Sequence, residues 1–563
     1  MVFFNLPLTN MSLDPTNLRA AKLKFVADGR PATLDALGDE RANLSSNERI
    51  KLEKLPPLVW KDIVENYAKN GFSSISDDDL ERFKWVGVYP QRPQEDGFFM
   101  MRIKVAGGVA PTHQLRALSK VARLYADGIA DISTRQAIQI HWLTIENMPA
   151  VMETLEPVGL GVANGYFGAC GDITRNIVTS PLVNIEREQV IDPLPFLNEA
   201  NYYFSTNPDY ADLPRKYKVA IVGHRGGAQC EINDLSFYGI RRSDGRVGFG
   251  VMVGGGLSTE PHLAQDMGVF VKEEEAMQVM EAITRIFRDH GYRKSRKHAR
   301  FKFLVADWGT AKMRVEVENL LGYALEDAEG IPQNVRGYED HYGAHPQVQE
   351  GLSYIGVPVI GGRVTSDQWD VVADLADEYG CGEVRFTVMQ SFYIPGVPHE
   401  KAAEVIQKLS ALGFNMTPSP LYSGMVACTG IQYCRLALVE TKNRAKDIAL
   451  WLEDNVQFTE AEHFRVNLNG CPNSCGQHWI ADIGFQGCQK KVDGVLKEHF
   501  DVFVGGQLGS KARFNRRIKR IDAEEVPHAV KTLTQAYQGQ RQNGETFADF
   551  CARLTDEELA DIL

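Results

Sequence analysis

The sequence predicts an α+β (mixed α/β) fold that arose by internal duplication. Two kinds of segment each occur twice, in the order A-B-A′-B′, with about 250 residues between one copy and the next. Within each copy, short apolar strands alternate with amphipathic helices. The chain has 563 residues, which is too many for one hydrophobic core, so several structural units are expected.

The first repeated segment is marked by a glycine pair. Gly107-Gly108 matches Gly361-Gly362 at an offset of 254 residues. The same offset relates Gln114 to Gln368, Ala122 to Ala376, Tyr125 to Tyr379, Gly128 to Gly382, Gln136 to Gln390 and Ile140 to Ile394. Each copy reads as a strand, a Gly-Gly turn, an amphipathic helix, a strand and a second helix (Val151–Leu160 and Ala402–Leu412), which indicates an α+β half-domain.

The second repeated segment recurs at offsets near 250 residues. Val219–Gly223 matches Val466–Gly470, Asp234–Gly239 matches Asp482–Gly487, and Val251–Gly255 matches Val502–Gly506. Matches in register across two kinds of segment are not expected by chance, so the whole A-B unit was duplicated.

A helical stretch is predicted before the repeats, over roughly Asn47–Asn70, with a break at Pro56-Pro57. Its apolar face consists of Trp60, Ile63, Val64 and Tyr67. The acidic run Asp77-Asp78-Asp79 predicts the start of the next helix.

Composition and charge exclude several classes of protein. The chain is 44% hydrophobic and 24% charged, and its net charge of −12 disfavours a nucleic-acid-binding protein. No apolar run approaches the ~18 residues of a membrane-spanning helix. The segment Met1–Pro7 has no basic start and no long apolar stretch, so it does not read as a secretory signal. Nine cysteines without framework spacing fit a reducing compartment, and a cytoplasmic protein is expected.

Four of the nine cysteines fall within 48 residues, as C-x5-C (Cys428, Cys434) and C-x3-C (Cys471, Cys475). Zinc usually takes knuckles of two to four intervening residues, so the first pair fits zinc poorly. Disulfides would need an oxidising compartment. An iron–sulfur cluster needs four thiolates and is favoured by neighbouring glycines, whose amides can approach the sulfurs. Spacing alone favours a cluster and leaves zinc and unrelated buried cysteines open.

The duplication predicts one active site per chain. Gly223 aligns with Gly470, and the next residue is His224 in the first copy but Cys471 in the second. The first copy also lacks a C-x5-C loop, so it should hold no cluster. The site should lie in a cleft between two pseudo-symmetric halves.

The two cysteine segments, Ala427–Cys434 and Asn469–Gly476, resemble the cluster signature of the sirohaem-dependent nitrite and sulfite reductases. The resemblance extends from about residue 45 to 510, and Ala427–Ala445 and Cys471–Gly487 are most similar to the ferredoxin-dependent branch. It implies that all four cysteines ligate a [4Fe–4S] cluster and that Cys475 is also axial to the sirohaem iron.

The resemblance also implies an architecture of two ferredoxin-like half-domains and two larger sirohaem/iron–sulfur domains around a pseudo-twofold axis. The expected boundaries are 1–85 for an N-terminal extension with helices, 86–165 for half-domain 1, 166–340 for the reductase domain without a cluster, 341–420 for half-domain 2, and 421–563 for the domain with the cluster.

The implied reaction is a six-electron reduction of a small oxyanion, which must be held and supplied with protons. Basic side chains serve both needs. The positions that match the family's anion-binding residues are Arg102, Arg175, Lys216 and Lys218. Lys216 and Lys218 would share one face of a strand, because strand side chains alternate with period two. A lone surface lysine or arginine is otherwise most often a solvated residue.

Sirohaem is a polycarboxylate, so its pocket needs cations and amides. The family's cofactor-binding strand resembles Thr134–His141, and the expected cofactor-binding residues are Arg135, Gln136, Gln139, His141, Arg293, Lys297 and Thr429. The basic run 293–300 could equally be a solvated helix or a docking patch.

The Lys-x-Lys pair favours sulfite, because sulfite reductases of the family resemble Lys-x-Lys here while nitrite reductases tend to have Lys-x-Asn. Thr441–Ala445 looks more like the nitrite branch, so reduction of nitrite to ammonia is the alternative. Some members carry a tyrosine–cysteine link near the site. Tyr89 matches the tyrosine, but Ile173 falls on the cysteine position, so no link is predicted.

No flavin or NADPH module is recognisable, so electrons should come from a separate protein, and the resemblance points to ferredoxin. Its acidic surface would dock on a basic patch, for which Lys511–Arg520 is a second candidate after 293–300. A monomer is expected, because the duplication already supplies a pseudo-symmetric partner. An iron–sulfur electron carrier without its own catalysis is a remote alternative, since a carrier would not need the four cations.

Overall fold

The computed structural model describes residues 45–161, 168–329, 331–332, 335–458 and 463–563. Its strands are β1 Val88–Pro90, β2 Phe98–Ile103, β3 Val109–Pro111, β4 Ile129–Ile132, β5 Ile138–Thr144, β6 Val219–Val222, β7 Leu235–Arg241, β8 Val247–Val253, β9 Gln265–Val271, β10 Glu326–Asp327, β11 Gly343–Pro346, β12 Leu352–Val357, β13 Arg363–Thr365, β14 Glu383–Phe386, β15 Phe392–Pro398, β16 Met425–Ala427, β17 Val466–Asn469, β18 Ile483–Val492, β19 Val495–Val504 and β20 Arg516–Asp522.

The α-helices are α1 Ser46–Glu53, α2 Val59–Asp62, α3 Ala68–Asn70, α4 Asp77–Arg82, α5 Thr112–Tyr125, α6 Met148–Leu155, α7 Leu194–Thr206, α8 Ala276–His290, α9 Phe301–Leu321, α10 Ser366–Glu378, α11 Ala402–Ala411, α12 Pro420–Ser423, α13 Lys442–Asn455, α14 Val526–Gln540, α15 Phe547–Arg553 and α16 Asp556–Ile562. In the described part of the chain, no helix is both long and apolar enough to cross a membrane.

Two of the four five-stranded sheets belong to the first repeated segment, and they exchange strands. Their orders are β1-β2-β5-β4-β13 and β11-β12-β15-β14-β3, so each sheet is completed by a strand from the other copy. Val364 pairs with Ala130, and Val384 pairs with Ala110. The strands β2 and β12, like β5 and β15, begin 254 residues apart, as the sequence repeat predicts. One apolar core fills the space between both sheets and the helices α5 and α10.

The Gly-Gly turns explain why this repeat was visible in the sequence. Gly107 and Gly361 have φ angles of 60° and 61°, and Gly108 and Gly362 have 71° and 73°. A Cβ at Gly108 would lie 2.8 Å from the carbonyl oxygen of Phe386, in the other copy. Glycine is required here both for the left-handed backbone and for the close approach of the two copies.

The other two sheets belong to the second repeated segment, with orders β10-β9-β8-β7-β6 and β16-β17-β18-β19-β20. The pairs β6–β7, β16–β17 and β17–β18 are parallel, and the remaining pairs are antiparallel. Helices α8 and α9 cover one sheet, and α13 and α14 cover the other, each over its own apolar core. The predicted mixed α/β class is confirmed.

Matching hydrogen bonds relate the two halves in three dimensions. The backbone N–H of Lys218 donates to Asp234 Oδ2 at 2.9 Å, and that of Arg465 donates to Asp482 Oδ2 at 2.8 Å. Gln229 and Gln477 donate their side-chain amides to each other, at 2.8 and 2.7 Å. These reciprocal contacts indicate a pseudo-twofold axis that passes between the two second segments.

The N-terminal helices follow the predicted pattern. Helix α1 begins after Ser45, whose hydroxyl accepts from the N–H of Glu48, and it ends before a 3₁₀ turn at Pro56–Leu58. From Val59 the chain is helical to Asn70, with a π-helical turn at Ile63–Tyr67. Of the predicted apolar face, Ile63 and Tyr67 are buried, while Trp60 and Val64 are half-buried.

Helix α1 is anchored by a buried lysine, Lys51, which pairs with Asp172 far along the chain. Lys51 Nζ lies 2.7 Å from Glu48 Oε1 and 3.1 Å from Asp172 Oδ2, and its side chain is 0% exposed. Burial alone would raise the pKa of Asp172, but Lys51 and two arginines outweigh it and hold the pKa far below its ordinary value. The carboxylate therefore stays charged and contributes stability above the pH range where an unfolded aspartate titrates.

Replacing Lys51 with methionine should destabilise the protein by about 3–5 kcal/mol, because the buried carboxylates would lose their cation. Thermal unfolding monitored by circular dichroism would measure the loss. Lys61→Met is the matched control, since Lys61 is 65% exposed and 3.8 Å from Glu65, and it should change stability by less than about 0.5 kcal/mol. Equal melting temperatures for the two variants would show that the Lys51 network contributes nothing.

Candidate active site and cofactor pocket

The four clustered cysteines lie at one edge of a parallel strand pair. Cys428 directly follows β16, and Cys471 follows β17 after Gly470, with Ala427 paired to Leu468. Because the carboxyl ends of parallel strands meet at one edge of a sheet, the two loops are brought together. The N–H of Gly470 donates to Cys428 Sγ at 3.1 Å, which is the close amide approach that a cluster thiolate requires.

The environment of these thiols fits an iron–sulfur cluster. Burial, and next the charge of Cys475, raises the pKa of Cys428 to about 12, and burial raises the pKa of Cys471 to about 11. Thiolates held in such a place need the positive charge of bound metal. All nine cysteines are free, which excludes the disulfide interpretation for this structure.

The spacing also favours a cluster over a single zinc ion. Among the described residues, no three His, Cys, Asp or Glu side chains converge closely enough to hold one ion. A cluster takes its four thiolates at the separated corners of a cube, whereas a zinc ion draws them to one centre. The loops are near enough for their charges to interact but not close enough to ligate one ion.

A chain of hydrogen bonds joins the first half-domain to the cysteine loops. Arg102 donates through Nη1 to Cys170 Sγ at 2.8 Å and through Nη2 to Gln139 Oε1 at 3.2 Å. Gln139 Nε2 then donates to Thr429 Oγ1, next to Cys428, at 3.3 Å. The structure therefore brings together three of the predicted residues, from β2, β5 and the first cysteine loop.

The predicted catalytic cations have almost no carboxylate partners. Arg175 donates to the backbone carbonyls of Ala169 and Gly171, at 2.8–3.3 Å. Neither Lys216 nor Lys218 makes an ion pair within the part of the chain that the structure describes. Cys475 is close enough for its charge to raise the pKa of both Arg102 and Lys216. Two of the predicted anion-binding residues, Arg102 and Lys216, therefore lie close to the predicted axial cysteine.

Burial and mutual repulsion set the protonation of the two lysines. Burial, and next the charge of Arg300, lowers the pKa of Lys216 to about 7. Burial, followed by the charges of Arg135 and Lys216, lowers the pKa of Lys218 well below its ordinary value. An anion that enters this field is stabilised by the cations and raises their proton affinity, so the site is suited to bind an oxyanion and to transfer protons.

The polar pocket beside the cysteine loops contains Arg135 and His141. Arg135 donates to Asn233 Oδ1 at 2.7 Å and to two backbone carbonyls, but its buried Nε has no partner in the structure. His141 stacks on Tyr433 of the first cysteine loop at 3.9 Å, and neither ring nitrogen has a partner. Burial lowers the pKa of His141 to about 3, so the ring is neutral.

These orphaned atoms test whether a polycarboxylate cofactor fits. Buried polar groups are nearly always hydrogen-bonded, so a cluster of unpaired ones indicates a missing partner. Further unpaired buried atoms around the cysteine loops belong to Asn467, Asn469 and Ser474. Donors and cations that converge beside four thiols are what sirohaem and a cluster would satisfy together, so the residues fit both cofactors.

Two predicted cofactor-binding residues have other roles. Gln136 donates to the carbonyl oxygens of Thr179 and Phe386, at 3.0 and 2.7 Å, so it joins the two copies and its amide is not free. Arg293 donates to Glu48 and Asp212, at 2.9 and 3.0 Å, on the side of helix α1. Polar partners from distant segments occupy donors of both side chains, and their contact with the cofactor stays a prediction.

Neither predicted docking patch is a free basic surface. In the run 293–300, Arg296 pairs with Asp172 at 2.7 Å and Arg300 with Asp234 at 2.8 Å, while Lys297 is exposed and keeps its predicted role untested. In 511–520, the carboxylates of Asp501, Asp549 and Asp556 pair with four arginines. Carboxylates within the fold therefore offset part of the positive charge seen in the sequence.

The cysteine that faces Tyr89 is Cys170, not the residue at position 173. The Tyr89 hydroxyl is in hydrogen-bond contact with the Cys170 thiol, and Arg102 lies 5.9 Å above the Tyr89 ring. Ile173 is fully buried in an apolar cluster with Leu55 and Trp85. The assignment of position 173 is therefore corrected, because Gly171 (φ 87°) turns the chain between the two positions.

Sequence reasoning missed Asn176, Asn233 and Arg300. Asn176 Nδ2 donates to the carbonyl of Val105 at 2.7 Å and orients the Arg135 segment, and Asn233 holds the Arg135 guanidinium. An asparagine next to a predicted catalytic arginine, as at position 176, is only a weak sign of a functional residue. No motif marks position 233. Arg300 was visible in the basic run but was not singled out.

Comparison with known proteins gives the same result. The family description "Nitrite and sulphite reductase 4Fe-4S domain" matches residues 170–325 and 422–560, and "Nitrite/Sulfite reductase ferredoxin-like half domain" matches 91–158 and 345–412. The chain is 39% identical to sulfite reductase [ferredoxin] 1 of Mycolicibacterium paratuberculosis, covering 93% of this chain and 97% of that one.

A second curated relative and a solved structure also match most of the chain. The assimilatory ferredoxin-dependent nitrite reductase of Haloferax mediterranei is 37% identical, over 89% of this chain and 90% of that one. The structure of the Mycobacterium tuberculosis NirA protein superimposes with a TM-score of 0.88 at 37% identity, over 93% of this chain and 99% of that one.

The fold and the comparisons together define an iron–sulfur oxidoreductase. The chain belongs to the nitrite and sulfite reductase family, and its cofactors are sirohaem and a [4Fe–4S] cluster.

Proposed function

We propose that the enzyme reduces sulfite to sulfide in a six-electron reaction, with ferredoxin as the electron donor. The observation that carries the proposal is the Lys216 and Lys218 pair, which has no carboxylate partner among the described residues and lies close enough to Arg175 for the charge of Arg175 to act on Lys216. A second ammonium group suits the higher charge of sulfite. Relatives that share 38–39% identity are named ferredoxin-dependent sulfite reductases.

When bound, the cluster would supply single electrons and the sirohaem would supply an iron that binds the substrate. The protein's own residues hold the anion. Arg102 and Arg175 are fixed by Gln139, Cys170 and the 169–171 carbonyls, so their guanidinium groups are preorganised and need not rearrange when charge develops.

Protons come from the lysines. With a pKa near neutrality, Lys216 can donate a proton and be reprotonated at the working pH, which is the condition for general acid catalysis. Lys218 lies two residues further along the chain, and the charge of Lys216 acts on it, so a second proton source is within the same field. Two protons and two electrons release each substrate oxygen as water.

Nitrite reduction to ammonia by the same site is the second candidate. The Haloferax mediterranei and Zea mays relatives, each 37% identical, are named nitrite reductases. Nitrite carries less charge than sulfite and would gain less from Lys218.

Lys218→Asn should shift substrate preference. The wild-type ratio of kcat/KM for sulfite over nitrite should exceed one and fall about tenfold or more in the variant, because a buried ammonium that recognises the extra charge is lost. Steady-state turnover with reduced ferredoxin measures both values side by side, and a reduced viologen removes any effect of donor docking.

Lys120→Met, a change at an exposed residue of α5, is the control and should leave the ratio unchanged. A wild-type ratio favouring nitrite would reject the sulfite assignment while keeping the family and cofactors. Turnover of neither anion by the cofactor-loaded enzyme would reject both.

The proposal extends to the compartment and the oligomeric state of the enzyme. Nine free cysteines are compatible with a reducing cytoplasm, and the pseudo-symmetric partner within one chain is compatible with a monomer. Light scattering of the purified enzyme tests the second point.

A further inference from the structure

A cavity of about 300 Å³ is lined in part by Arg102. Its described walls come from β2, from the end of the first half-domain and from helix α7. They include Arg102, Lys104, Asn198 and Asn201, and no residue of 428–475. The cavity is therefore distinct from the cofactor pocket and meets the anion site only at Arg102.

Lys104 is the second cation of this cavity. It lies two residues after Arg102 on the same face of the strand segment, about 6.6–6.8 Å further along. Its Nζ donates to Ser205 Oγ at 2.7 Å, and it has no ion pair among the described residues. An ammonium turned inward without a carboxylate carries positive charge that only an anion would neutralise.

The remaining polar lining supports a hydrated anion. The Oδ1 atom of Asn201 is buried and has no hydrogen-bond partner in the described structure, although its residue lines the cavity. An unpaired amide in a cavity of this size indicates water or a solute that donates to it. Arg175, the other guanidinium of the anion site, is close enough for its charge to act on Lys104.

We propose that this cavity is a vestibule that holds the substrate oxyanion before it reaches Arg102, with Lys104 as the cation of the vestibule. The ligand class is a small inorganic oxyanion such as sulfite or nitrite. The inference rests on the proposed function, because it assigns a route to the substrate of that site. Lys104 is a positioning residue, since it guides the anion but does not contact the reacting atoms.

Stopped-flow binding of nitrite to the oxidised holoenzyme, followed by the visible spectrum, tests the proposal. Lys104→Gln should lower the association rate constant about tenfold and change the dissociation rate constant by less than about twofold, because a charge on the approach path acts on arrival. In steady state, KM should rise about tenfold while kcat changes by less than about twofold. Lys104→Arg should restore the association rate.

Ser205→Ala is the matched control. It removes the hydrogen bond between the β2 segment and α7 but keeps the ammonium, so association should stay at the wild-type rate. Asn198→Phe is the second variant, which narrows the cavity without touching the charge. It should slow association as well, and it keeps the proposal testable even where Lys104→Gln does not fold.

The dependence on pH gives an independent readout. Burial, and next the charge of Arg175, lowers the pKa of Lys104 to about 7. The ammonium is present below this pH and lost above it, so association of nitrite should slow more steeply as the pH rises through 7 in the wild type than in Lys104→Gln, where only Lys216, whose pKa is also lowered to about 7, still loses its charge. Nitrite is the probe because sulfite itself titrates in this range.

Equal association rates for wild type, Lys104→Gln and Asn198→Phe would overturn the vestibule. A rate loss shared by Ser205→Ala would do so too, since it would show that the contact with α7 matters and the charge does not. Failure of the proposed function looks different, because the wild type would then favour nitrite over sulfite or turn over neither anion, whatever the association rates of the variants.

Discussion

The Cys475→Ser enzyme is expected to purify without sulfite reductase activity and without the visible absorption of either cofactor. The resemblance assigns Cys475 to both the cluster and the sirohaem iron, so one substitution removes a ligand from each. A serine hydroxyl is a hard, weakly acidic ligand and does not replace a thiolate on iron. Activity should fall at least about 10³-fold, to the background of the assay.

The measurement combines the visible spectrum, iron and acid-labile sulfide content, and viologen-linked turnover. Cys381→Ser is the matched control, because Cys381 is an exposed cysteine of the second half-domain and lies outside the cysteine loops. It should retain both cofactors and full activity. A Cys475→Ser protein that keeps its sirohaem spectrum and turnover would refute the axial assignment.

Lys216→Met should lower kcat/KM by about 10²–10⁴-fold, the usual contribution of a positioned general acid. Methionine keeps the length and apolar stem of lysine but removes the ammonium that offsets the anion and gives up the proton. Because the pKa of Lys216 is lowered to about 7, the acid form is present below that pH and is lost above it. Wild-type activity should therefore decline as the pH rises through 7.

Turnover between pH 6 and 9 with a reduced viologen measures both effects. Nitrite is the second substrate in this measurement, because sulfite itself titrates in this range and would obscure protonation of the enzyme. The kcat of Lys216→Met, to which the charge of Lys104 should contribute little, should lack the wild-type decline. An unchanged pH profile in the variant would transfer the acid role to another group, with Lys218 the first to examine.

The fold could be predicted because the sequence pattern that indicates it occurs twice along the chain. The offset of 254 residues in the sequence is the offset between β2 and β12 and between β5 and β15, so register and element order were both readable. The exchange of β3 and β13 was not readable. Pairing within a copy and pairing between copies produce the same sequence pattern, because both copies carry the same strands at the same positions.

The candidate site, too, could be predicted from the sequence only in part. The cysteine loops were visible because thiolate ligands need fixed spacing, and Arg102, Gln139 and Thr429 do meet beside them. Gln136 could not be judged from its strand, since the carbonyl groups that occupy its amide come from residues 179 and 386. Partners from distant segments decide whether a polar side chain is free, and one sequence does not show them.

The reciprocal completion of the half-domain sheets bears on how such an asymmetric enzyme could arise. A chain with a single copy would have closed its two sheets by pairing with an identical chain, and it would have carried two equal sites. Once both copies were joined, the sheets closed within one molecule whatever happened to either site. One copy could then lose its thiolates and carry His224 where the other has Cys471, without loss of the architecture that still supports its neighbour.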